Sequence, residues 1–169
     1  MDWKSKIYYL KKLYEQDAKN GYQSKYLIDI GYECPKWRQG ELENIVKPYS
    51  WIPRSYLEFI KEFDSLGLAF IVFYGSEGVC GIPLGKEIEY WREEGLSEDY
   101  FPFGKYADGS IFVFHKNGGV YFINYYDYEF ENPEKICDSF EEFMRDYVLG
   151  KKYNKFGARD ELFESLGWV

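Results

Sequence analysis

The chain contains no threonine, a single histidine and only three cysteines. No serine sits in a G-x-S-x-G setting, so the nucleophile elbow of a hydrolase has no candidate. The lone His115 has no second histidine or cysteine beside it in sequence and cannot make a common zinc site. As a catalytic base it would need a nucleophile and an orienting carboxylate gathered from elsewhere. The simpler reading is a residue at a strand end that serves a turn. Cys34, Cys80 and Cys137 are odd in number, widely spaced and free of any C-x-x-C pair. They suggest neither a disulfide framework nor a metal cluster, and they suit a reducing compartment. Long apolar runs are missing as well. The longest, LAFIVFY at 68–74, is far too short to span a bilayer. The opening MDWKSKIYYLKKLY interleaves charged and apolar residues, unlike a signal peptide or an anchor. These absences predict a soluble, cytoplasmic protein with no membrane partner, no metal and no cofactor.

What is present is aromatic and acidic. Aromatics form 22% of the 169 residues, which fits either an interaction surface or an aromatic-rich core. Most of them lie in strand or helix patterns, which favours the core. The net charge of -8 is uneven. Residues 1–50 hold 9 Lys and Arg against 7 Asp and Glu, and residues 151–169 hold 4 against 3. Residues 51–150 hold only 8 against 19. So acidic a middle argues against sequence-independent nucleic-acid binding, which needs cations to neutralise phosphates. It would attract a basic partner, and it also favours solubility.

The hydropathy pattern predicts an α+β protein: a single domain with a central, mostly antiparallel sheet flanked by helices. Trp3, Ile7, Leu10 and Tyr14 recur at helical spacing over 2–18. A short helix fits 37–46. Pro53 opens another, with Tyr56, Phe59, Ile60 and Phe63 on one face and Gly67 as its stop. Leu68 to Tyr74 reads as one apolar strand, and 86–94 as a helix with Ile88 and Trp91 inward. FVF and VYFI flank HKNGG, a strong hairpin signal. Tyr125 to Phe130 suggests a further strand, and NPEK a turn. Asp138 or Ser139 can cap a helix that buries Phe140, Phe143, Tyr147 and Val148. The basic GKKYNK leads to a last helix near 160–166, whose Leu162, Phe163 and Leu166, with Trp168 beyond, need cover.

The segment GSEGVCG, with glycines at 75, 78 and 81, lacks both the G-x-G-x-x-G spacing and the Lys-Ser/Thr of a P-loop. It reads as a loop needing positive φ or close backbone approach, with Cys80 as a small buried residue. The carboxylates Glu89, Glu93, Glu94, Glu98, Asp99, Asp127, Glu129, Glu131 and Glu134 match no calcium-loop spacing. Glu89 and Glu93, with Arg92 between them, mark a solvated helix face. The carboxylates as a group are a solvated surface or an acidic patch for a partner.

Three segments in order resemble the SUKH superfamily of fungal cell-wall assembly regulators and bacterial immunity proteins. They are IPRSYLEFIKEFDSLG, YFPFGKYADGSIFVFHKNGGVYFI and ICDSFEEFMRDYVLG, together spanning about 40–150. Ser110 departs from the acidic or Asn residue that often follows the Asp-Gly pair in that family. The resemblance implies an α+β fold around an antiparallel sheet. It also implies a non-enzymatic immunity-type protein that binds and neutralises a cognate toxin, in many cases a nuclease, by occlusion. The partner would be a basic toxin domain, met by Glu93, Glu94, Glu98, Asp99, Asp108, Tyr126 and Glu129. The alternative is a regulatory protein-interaction module with no toxin partner. A hydrolase using His115 or the carboxylates is a third, weaker reading. Residues 36–150 would form the SUKH-like domain, 1–35 an N-terminal helix and connecting segment packed on it, and 151–169 a C-terminal helical tail.

Overall fold

Apolar residues at helical spacing near the N-terminus form one buried stripe. Helix α1 (Trp3–Lys19) buries Ile7 and Leu10 completely. The computed structural model describes residues 1–21, 37–68, 70–76, 83–124, 130, 133–156 and 161–168. A short α2 (Glu41–Val46) begins after Gly40, whose φ of 76° is left-handed and costs glycine little. Helix α3 (Arg54–Phe63) follows Pro53 and buries Tyr56, Phe59, Ile60 and Phe63, as its spacing predicts. It stops earlier than Gly67. Asp64, buried and at φ 51°, turns the chain, and its carboxylate accepts from the Ser76 N–H at 2.7 Å and the Ser76 hydroxyl at 2.6 Å. These two bonds compensate a conformation that a non-glycine residue adopts at a cost.

The apolar run after α3 is not one strand. It folds into a hairpin of β1 (Leu66–Leu68) and β2 (Ile71–Phe73), with Leu68 paired to Ile71. No proline or glycine marks this bend, and both strands are largely buried, so hydrophobicity alone shows no break there. Gly67 lies inside β1. Gly75 fulfils the close-approach reading: a Cβ there would overlap the backbone nitrogen of Ser65. The other glycines of that loop, and Cys80, lie outside the described residues.

Helix α4 (Leu84–Glu93) leads into β3 (Tyr100–Tyr106), β4 (Ile111–His115), β5 (Val120–Ile123) and β6 (Glu134–Cys137). The six strands lie in the sheet in chain order, every neighbouring pair antiparallel. The 111–123 hairpin forms as its Asn-Gly-Gly signal predicts, with Gly118 and Gly119 at φ 93° and 91°. Strand β6 is a correction, since NPEK reads as a turn whereas its last two residues already belong to the strand. Its alternation is blurred by a register shift against β5, which buries both Ile136 and Cys137. The strand read at 125–130 lies outside the described residues except for Phe130, which is in a turn.

One sheet face carries Phe73, Phe101, Phe103, Phe112, Phe114 and Val120 into the main core with α1, α3 and the C-terminal elements. A register shift between Pro102 and Gly104 lets Phe103 stack on Phe114 with centroids 4.1 Å apart. The opposite face is also covered: Ile111, Val113 and Ile123 pack with Trp91 and Leu96. Helix α4 therefore serves both faces, because Leu84 and Ile88 join the main core while Trp91 joins the second cluster.

Ser139 caps α5 (Phe140–Glu142), accepting from the Glu142 N–H at 3.1 Å. Phe140 seats its ring against Trp3, Tyr56, Phe59, Phe73, Phe103 and Phe114. The helix then widens into a π-helical segment, Phe143–Val148. A 3₁₀ turn (Tyr153–Phe156) and α6 (Glu161–Ser165) complete the chain. Tyr153 and Phe163 are buried in the main core, with Leu166 and Trp168 packed against it.

Candidate functional site

Four of the acidic residues chosen from sequence, Glu93, Glu94, Glu98 and Asp99, lie at the corner between α4 and β3. Helix α4 ends in a Schellman motif: the Gly95 N–H bonds to the Arg92 carbonyl at 3.1 Å, and the Leu96 N–H to the Trp91 carbonyl at 2.8 Å. Gly95 takes φ 101°, and Leu96 packs beside Trp91 as such an ending requires. This geometry buries Leu96 and leaves Glu93, Glu94 and Glu98 exposed. Among the described residues, these three carboxylates form no ion pair. Asp99 differs, for it is half-buried and pairs with Lys116 at 2.8 Å. Its carbonyl also accepts from the Lys116 N–H at 2.8 Å, tying the corner to the β4–β5 turn.

Arg92 fixes the loop. Its guanidinium donates to the carbonyls of Leu96 at 3.0 Å, Ser97 at 2.8 Å and Tyr100 at 2.6 Å, and to the Tyr49 hydroxyl at 3.2 Å. Sequence spacing puts Arg92 between two solvated glutamates, and those glutamates are exposed, but the arginine turns inward. Its fork of donors suits several backbone carbonyls at once.

Beside the acidic residues lies an aromatic group that sequence reasoning missed. Tyr100 and His115 are paired across β3 and β4, and their rings sit 4.8 Å apart. Tyr121 approaches His115 at 5.6 Å and Tyr100 at 6.0 Å. All three side chains are half-buried at the margin of the second sheet face. Strand alternation was the available signal, since Tyr100, Val113, His115 and Tyr121 share a face once the register is known. Tyr90, exposed, precedes Glu93 and Glu94 by three and four residues, which places it on the same side of α4.

Asp108 does not join this group. It lies in the β3–β4 turn, at the far end of a seven-residue strand and so roughly 20 Å from Asp99. Its Oδ1 accepts from the Ser110 N–H at 2.8 Å, a bond that shapes the turn. Tyr126 and Glu129 lie outside the described residues, as do Asp127 and Glu131. His115 keeps to the turn, its Nδ1 accepting from the Asn117 N–H at 3.3 Å. Burial pushes the Cys137 thiol up to about 12, with Glu142 adding to the shift, so it is no nucleophile at neutral pH. Among the described residues no group of three or more His, Cys, Asp or Glu could hold a metal, and no helix is long and apolar enough to cross a membrane.

The order of a proline-led helix, an antiparallel meander and a Ser-capped aromatic helix agrees with a family match: the SMI1/KNR4 family (SUKH-1) covers residues 40–146. The chain belongs to this family. The match takes in α2 to α5, the whole sheet and the acidic corner, while α1 and the C-terminal elements of this SUKH protein lie outside it. No curated protein matches the chain significantly.

Proposed function

We propose that this SUKH protein binds and neutralises a basic toxin domain, using the α4–β3 corner as its contact surface. Family membership supports a protein-binding role, because SUKH proteins are generally immunity or regulatory modules rather than enzymes. The observation that carries the choice of surface is the set of unpaired carboxylates Glu93, Glu94 and Glu98 beside the half-exposed rings of Tyr100 and Tyr121. Aromatic anchors ringed by charge are the usual composition of a binding hot spot. Carboxylates in place of nucleic-acid phosphates would occupy the cationic groove of a nuclease and block it. Asp108 is proposed as a contact outside the corner, and Tyr126 and Glu129 as further contacts.

The test is co-expression with the toxin encoded beside the gene. The unaltered chain should restore growth and co-purify with the toxin. A Glu93→Lys, Glu94→Lys, Glu98→Lys variant should remain folded, lose affinity by at least tenfold and lose protection. Unchanged toxicity with no complex at micromolar concentration would sink the immunity reading. Full protection by the triple variant would move the contact to another face.

A further inference from the structure

At the end of the fold formed by α1, the π-helical segment and the residues after α6, the charge pattern inverts. Among the described residues, Lys6, Arg145, Lys151 and Lys152, with the carboxylate of Asp146, line a cleft of about 440 Å³ walled by Trp168. The volume falls within the range of small-molecule sites, roughly 300–1,000 Å³. Such a density of cations is unexpected in a chain of net charge -8.

The cleft rests on a firm floor. The π-helical segment ends with the Leu149 N–H on the Met144 carbonyl at 3.0 Å, and the Lys152 N–H reaches the Asp146 carbonyl at 2.8 Å. A Cβ at Gly150 would overlap the Arg145 carbonyl, so only glycine lets the chain fold back this closely. Widened helical turns of this kind are frequent at functional sites.

The cations differ in how far the protein satisfies them. Arg145 makes a two-pronged pair with Asp146 at 2.7 and 2.9 Å, which neutralises that carboxylate. Lys152 stands 3.8 Å from Asp146 and 3.9 Å from Glu142, long for a direct bond. Lys151 is exposed and meets no carboxylate among the described residues. Lys6 bonds to the Leu149 carbonyl and lies 4.9 Å from the centre of the Trp168 ring. Burial pushes its ammonium below the ordinary lysine range, and an anion placed nearby would oppose that shift.

We propose that this cleft is a second binding site, which takes a mononucleotide-sized organic phosphate. Lys151, Lys152 and Lys6 hold the phosphate, and Trp168 carries the flat ring. Charge alone would accept any anion; the indole wall selects one that bears a planar body, because a base stacks favourably on an aromatic side chain. The site is separate from the acidic corner and does not depend on the toxin reading.

Calorimetric titration of the full chain at low salt with AMP, adenosine and inorganic phosphate tests this. AMP should saturate one site at sub-millimolar concentration, with phosphate and adenosine each at least tenfold weaker. A Lys151→Glu, Lys152→Glu variant should lose AMP binding tenfold or more while melting normally. Trp168 also packs on Phe163 and Tyr9, so a Trp168→Leu variant is read only alongside its melting curve. The proposal falls if AMP shows no saturable binding at millimolar concentration. It also falls if the double lysine variant binds AMP unchanged, or if phosphate or a Glu-rich peptide binds as tightly as AMP.

Discussion

Two buried rings at neighbouring positions of the core do different work. Phe140 touches aromatic rings from α1, α3, β2, β3 and β4, so it joins the helical layer to the sheet. Tyr56 is equally buried and stacks in the same cluster, but among the described residues its hydroxyl has no hydrogen-bond partner. The cost of losing a residue here depends on whether it contributes packing or an unsatisfied polar atom. Phe140→Ala should therefore destabilise by about 3–5 kcal/mol, through lost transfer energy and the cavity left behind. Tyr56→Phe keeps the ring and removes an unpaired hydroxyl, so it should be neutral or stabilising within about 1 kcal/mol. Urea unfolding of both variants checks the contrast, and a large loss for Tyr56→Phe would reveal a partner for that hydroxyl. Exposed ion pairs such as Arg54–Glu58 contribute far less, at most about 0.5 kcal/mol.

The segments most legible in the sequence are those whose pattern is local. Helices α1, α3 and α4 follow from 3.6-residue periodicity, and the β4–β5 hairpin follows from its Asn-Gly-Gly turn. The β1–β2 bend was hidden because both its strands are buried, so period two never shows. The π-helical widening was hidden too, since its apolar positions suit an ordinary helix equally well. At the corner, the acidic residues were legible because they are adjacent in sequence. The aromatic group of Tyr100, His115 and Tyr121 was not, because it depends on strand register, which couples distant residues. Arg92 falls between: its position was visible but its inward turn was not. Removing it with Arg92→Ala leaves every acidic side chain in place and frees the 96–100 loop from three carbonyl bonds. The expected result is a stability loss of about 2–3 kcal/mol and faster amide exchange from Leu96 to Tyr100. Partner affinity should fall in parallel. Unchanged exchange in that loop would show that the Schellman ending alone holds it.

Over the whole molecule, the acidic corner and the basic cleft form separate fields of opposite sign. Long-range attraction between an acidic surface and a basic partner accelerates encounter and is screened within about 8–10 Å at physiological ionic strength. The association rate with a toxin should fall by tenfold or more between low and physiological-range salt, while the dissociation rate changes little. Stopped-flow measurement across salt concentrations separates the two rates. A salt-independent association rate would mean that the aromatic group, not the carboxylates, guides recognition.

The strand order of the sheet has a consequence for how the chain reaches this shape. Because each described strand pairs with its neighbours in sequence, most sheet contacts close short loops, the exception being β2–β3, which closes across α4, and the entropy of loop closure grows with separation. Sheet assembly can then proceed by successive zippering from the tight β4–β5 hairpin outward. The distant closures are those that bring α1 and α5 together over the sheet through Trp3 and Phe140. Short separations through most of the sheet and long ones in its helical cover predict that docking of the helices, more than pairing of the strands, limits the folding rate.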